Sequence, residues 1–162
     1  MIMNDLADLA ALMYRSGNRF HDSLCDGVEK TAKRVMLNAK KRLGHYQDGW
    51  KTLKDATVRA KLNKNQVAKK RAIKKGTFRA TGTDADAPLV DEGHLRAAIT
   101  INMDRYHIKA EIGSPLVYHA THEMGDEDRN IPERPHLRPA LQEEVAQHLL
   151  QDLKDALSRG FR

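Results

Sequence analysis

Three prolines fall within eleven residues at IPERPHLRPAL, residues 131–141, just ahead of an amphipathic run. Proline fixes φ and drives the residue before it towards extended geometry, so Ile131, Arg134 and Arg138 are expected outside helical conformation. The segment reads as a semi-rigid strap. It serves either as a connector that sets the entry angle of a helix or as a contact surface.

On the far side of the strap, Pro139 is expected to open a last helix in which Leu141, Val145, Leu149, Leu153 and Leu157 recur every four residues. Glu143 and Glu144 in its first turn and Arg159 in its last suit the helix dipole. At the other end of the chain, Leu6, Leu9, Ala10 and Met13 have helical spacing. After a weak point at Ser16 and Gly17, an apolar stripe resumes through Leu24, Val28, Ala32, Val35, Ala39 and Leu43. This predicts one long helix, interrupted or kinked near Gly17 and stopped by Gly44. Trp50, Leu53 and Thr57 suggest a further short helical piece.

Two stretches alternate instead. Ile99, Ile101 and Met103, then Ile108, Ala110 and Ile112, share faces at a period of two. This predicts an antiparallel hairpin turning at Asp104 to Tyr106. A hairpin alone is marginal, so the long terminal helices are expected to cover it. In SPLVYHATHEMG, Ser114 is the expected cap, Pro115 the first helical residue and Gly125 the stop. GDEDRN then forms a solvated loop. The fold class is therefore α+β: a long N-terminal helix and a C-terminal helix packed on a small antiparallel sheet, with a long basic loop. At 162 residues the chain is expected to form one domain. Its parts are an N-terminal helical region 1–44, a flexible basic loop 59–88, hairpin and strap 89–136, and a C-terminal helix 137–160.

The net charge is +6 and the pI about 9.5, but the charge is unevenly placed. Arg59, Lys61, Lys64, Lys69, Lys70, Arg71, Lys74, Lys75 and Arg79 follow one another with no acid between Arg59 and Arg79. With few large apolar residues from 63 to 88, burial does not offset ordering entropy, so the segment should be a loop or a helix formed against a partner. Its charge would attract phosphate or an acidic protein surface in a salt-dependent way. No aromatics interleave with the lysines, so base stacking and sequence-specific reading are not indicated.

Catalytic and metal chemistry find little support. Cys25, the single cysteine, lies on a helix stripe one turn from His21, with nothing to activate it. No nucleophile elbow or glycine-rich phosphate loop is present. His119 and His122 lie three apart with Glu123 following, in neither zinc-protease order, and a third ligand would have to come from elsewhere, such as His136. The expectation is no enzyme, no cofactor and no metal. The mean hydropathy is −0.66, no run reaches the ~20 apolar residues of a membrane span, and the start lacks the order of a signal peptide. A cytoplasmic location is expected.

Four elements in order then carry a resemblance. They are Trp50, Leu53, Thr57 and Lys61; Gly93 and Leu95; Tyr118, His122, Glu123 and Gly125; and Ile131, Pro132, Arg134 and Pro135. Over about Gly49 to Leu141 the chain resembles the phage virion morphogenesis family, the tail-completion and head-tail joining proteins of tailed bacteriophages. It departs at Glu92, where such proteins have a small or hydroxylated residue, and at His136, where an aromatic is common. The resemblance implies a non-enzymatic neck component assembling as a ring, hexameric in the virion, between the portal or connector and the tail tube. Its partners would be copies of itself, portal or head-closure proteins, and tail tube or terminator proteins, with passing DNA met non-specifically. Tyr118, His122, Glu123, Ile131, Pro132, Arg134 and Pro135 would serve the subunit or partner interface. In this reading Arg134 forks onto a carboxylate across a subunit boundary, in the virion or in the host cytoplasm during assembly. The competing expectation is a free-standing nucleic-acid-binding protein using residues 59–79.

Overall fold

The computed structural model describes residues 6–74 and 86–160, with side chains described for 14–66 and 86–159. The fold is α+β, and the contacts gather into two compact units.

The first unit comprises Met1–Leu37, Thr100–Gly113 and Leu137–Arg162. Helix α1, Leu6–Arg42, passes through Gly17 without the expected interruption. One helical glycine costs only about 1 kcal/mol relative to alanine, and periodic sequence on both sides outweighs it. Within this unit the stripe buries Cys25, Ala32 and Val35. A Cβ on Gly27 would stand 3.1 Å from the Ala156 Cβ and 3.2 Å from the Asp152 carbonyl oxygen, so the glycine lets the C-terminal helix come close.

Strand β1, Thr100–Asp104, pairs antiparallel with β2, Lys109–Gly113, in the register Ile101 to Ile112 and Met103 to Ala110. These four side chains are half-buried, while Asn102 and Glu111 opposite them are exposed, as alternation demands. The turn lies at 105–108, slightly later than expected. The Asp104 carboxylate organises it by accepting from the Tyr106 and His107 amides at 3.0 and 3.2 Å. Arg105 ties the hairpin to α1. Its guanidinium reaches Asp26 at 3.2 Å and Glu29 at 3.5 Å, and its carbonyl accepts from the Cys25 thiol at 3.3 Å.

The last helix starts at Leu137: α5, Leu137–Glu144, continues through a π-helical segment, Val145–Leu149, into α6, Leu150–Gly160. Arg138 is thus helical, against expectation. Pro139 falls in the first turn, where amide hydrogens have no intrahelical partner and proline is tolerated. An every-fourth-residue stripe drifts around an α-helix of 3.6 residues per turn, and a wider π turn takes up that drift. The stripe is nonetheless split: Leu149, Leu153 and Leu157 are half-buried, whereas Leu141 and Val145 are exposed.

The second unit comprises Asn38–Ile99 and Ser114–His136. Its core holds Ala39, Leu43, Trp50, Val90, Leu95 and Ile99. After α1, Gly44 turns the chain at φ +96 and its amide donates to the Pro88 carbonyl at 2.9 Å. Helix α2, Asp55–Lys74, occupies much of the span expected as a basic loop, so residues 59–74 are helical. Ala, Lys, Arg, Leu and Gln are strong helix formers, which the burial argument left out. Trp50 and Leu53 precede this helix rather than join it. Helix α3 spans His94–Ala98 and α4 Val117–Met124. The start of α4 is two residues after Pro115. Ser114 still acts there, its hydroxyl oxygen accepting from the Leu116 amide at 3.2 Å.

Candidate functional site

Within the second unit α4 and the strap are joined by their backbones. The Asp126 and Ile131 amides and carbonyls exchange two bonds of 2.8 Å, and the Arg134 amide donates to the His122 carbonyl at 2.7 Å. Asp126 closes the exposed turn between them, its carboxylate accepting from the Arg129 amide at 2.9 Å and side chain at 2.7 Å. Gly125 makes the close approach possible. It sits at φ +78 and ψ 176, a region open essentially to glycine, and a Cβ there would meet the Glu133 amide nitrogen at 3.0 Å.

Glu123 fastens the end of the strap. Its carboxylate accepts from the His136 amide at 2.9 Å and lies 3.0 Å from the same residue's Nδ1. The fully buried His136 ring then faces His119, Nε2 to Nε2, at 3.1 Å. Burial first, and His136 second, push His119 below the ordinary imidazole range.

Arg134 is where expectation and structure differ most. It is 7% exposed, and its Nη2 donates to the Lys51 carbonyl at 2.9 Å instead of forking onto a carboxylate at the surface. The strap turns the side chain inward because the backbone bonds on both sides fix which way residue 134 faces. Its Nε has no hydrogen-bond partner, and neither does the buried Nδ1 of His122. His122 is lowered below its ordinary value by burial and then by the Arg134 charge.

Both orphaned atoms belong to residues lining a cleft of about 1180 Å³. Lys51, Lys61 and Lys64 line the same cleft with Tyr118, Ile131 and Pro132, so it gathers five of the seven expected interface residues, Glu123 and Pro135 lying outside its lining. Of the expected interface residues, Tyr118 is exposed; His122, Glu123, Ile131, Pro132 and Pro135 are half-buried. Beside them Val117 is 92% exposed and Met124 65%, two apolar side chains to which the sequence pattern drew no attention. Their position in the helical sequence VYHATHEM, off the buried His119 face, is the signal that would have found them.

The basic arm divides. Lys61 donates to the Ala87 and Val90 carbonyls at 2.7 and 2.8 Å, and burial pushes its ammonium below the ordinary value. Lys64 bridges Asp91 and Glu92 at 2.6 Å each. Arg59 is exposed. Lys69, Lys70, Arg71 and Lys74 lie on α2, but their side chains, with Lys75 and Arg79 entirely, fall outside the described residues.

In the first unit, Asp152 is 2% exposed and accepts from Thr31 at 3.0 Å, Lys30 at 2.8 Å and Arg34 at 2.5 Å. Burial alone would raise its carboxyl. The bonds from Lys30 and Thr31, with the charge of Arg34, outweigh that and hold it below the usual carboxylate range. Among the described residues no helix is long and apolar enough to cross a membrane. The chain matches no family model, no curated protein and no solved structure.

Proposed function

We propose that this chain is a structural, non-catalytic subunit of a bacteriophage neck, a tail-completion or head-tail joining component that works as a hexameric ring. The reading starts from the ordered resemblance over Gly49 to Leu141 and draws its main physical support from one observation. The strap is held rigid against α4 by backbone bonds, Glu123 and Gly125, while apolar side chains beside it stay exposed. A surface already ordered loses little entropy on docking.

A closed ring needs two different patches on one chain that complement each other, because heterologous contacts repeat head to tail until the rotation closes. Val117, Tyr118 and Met124 form one exposed apolar group in the second unit; Leu141, Val145 and Leu150 form another in the first. Neighbours of the ring would be further copies, the portal or head-closure side, and the tail tube side. The nucleic-acid reading loses support, since Lys61 and Lys64 of its nine cations are committed to groups inside the chain.

Glutaraldehyde cross-linking of the tag-free chain tests the proposal. A ladder ending at a hexamer is expected, with its upper rungs lost in Val117→Asp and in Leu141→Asp. A wild-type protein that cross-links no further than a monomer overturns it.

A further inference from the structure

We propose that His119, Glu123 and His136 form a site for a divalent transition-metal ion of the zinc class, which staples the strap to α4. One ligand atom from each of the three residues lies within 4.8 Å of those of the other two. His119 and Glu123 are four apart on α4 and so share a face, and the strap delivers His136 to that face. His136 is fully buried and His119 is 8% exposed, so the ion would sit out of bulk water.

The hydrogen bonds assign the tautomers. His136 Nδ1 has only acceptors near it, Glu123 Oε2 at 3.0 Å and the Arg134 carbonyl at 3.3 Å, so Nδ1 carries the proton. Its Nε2 is then a bare lone pair aimed at the Nε2 of His119, 3.1 Å away. With zinc to nitrogen distances of about 2.0–2.1 Å, tetrahedral ligand atoms stand roughly 3.3 Å apart, close to the separation the two rings already have. Two imidazoles with one carboxylate suit zinc over magnesium or calcium, which take oxygen ligands. Three protein ligands leave a fourth position to water. His122, adjacent in sequence, is outside the cluster.

This inference does not depend on the neck reading, since metal content and assembly are measured separately. The tag-free chain, stripped with EDTA and dialysed, is titrated with zinc by calorimetry and then with cobalt(II) under visible spectroscopy. One ion per chain, tetrahedral cobalt bands and a raised melting temperature are expected. His136→Phe keeps an aromatic ring, slightly larger than the imidazole, and should keep the fold by circular dichroism while losing about a hundredfold in affinity. His119→Gln, which retains a polar side chain on the same helix, should lose as much and carries the test if the first variant misfolds. No zinc binding at micromolar concentration, or undiminished binding by the folded variants, overturns the site.

Discussion

Asp152 and Arg134 are both buried charges, one in each unit, and they are treated oppositely. Asp152 collects three donors from one face of α1, so its desolvation is offset and the group holds α1 to the C-terminal helix. Arg134, which lines a cleft, has one carbonyl acceptor on Nη2 and a buried, orphaned Nε. A fully satisfied buried ion belongs to the architecture. An under-satisfied one beside a cleft marks the place where a neighbouring molecule can supply what is missing.

The comparison can be broken by substitution. The largest effect is expected in the second unit from Gly125→Ala, which puts a side chain into backbone geometry open to glycine and against the strap. It should cost about 3 kcal/mol in chemical denaturation and release the strap to hydrogen exchange. Asp152→Asn comes next: losing charge-assisted bonds should cost roughly 2 kcal/mol, read from the same denaturation curves. Arg134→Met should cost no more than about 1 kcal/mol, because replacing a poorly paired buried ion by an apolar chain of similar length is nearly neutral. Equal losses at 134 and 152 would erase the distinction drawn between them.

The smallest effect concerns pH and separates the units without mutation. His119 and His122 are depressed in the folded state, so the stability they contribute is complete above the ordinary imidazole value of about 6.5 and is lost as pH falls towards their lower folded values. Asp152 is also depressed, and its contribution is present above the ordinary carboxylate value of about 3.9 and lost below it. Hydrogen exchange at pH 5.5 should therefore loosen α4 and the strap while residues around Asp152 stay protected. Simultaneous loosening of both would contradict the assignment.

Much of the fold was legible because periodicity reports burial. The stripe of α1 and the alternation of the hairpin both follow from residues that face a core, as Val35 and the half-buried Ile101 show. Helix α2 was not, because its helicity comes from propensity and from Lys61 and Lys64 anchoring to the loop after it, which no apolar pattern announces. The strap was legible as stiff, since proline dictates that locally. The inward direction of Arg134 was not, because it is decided by bonds to His122 and Lys51, twelve and eighty-three positions away. The pairing of His119 with His136 needed the strap to fold back along α4, although the four-residue spacing of His119 and Glu123 was visible throughout.

Exposed apolar patches on a stiffened frame are what we propose makes this chain a ring subunit. Light-scattering mass of the tag-free protein across a concentration series tests it most directly. A discrete species of six chain masses is predicted, insensitive to added duplex DNA. A monomer at every concentration that shifts duplex DNA with steep salt dependence would contradict it.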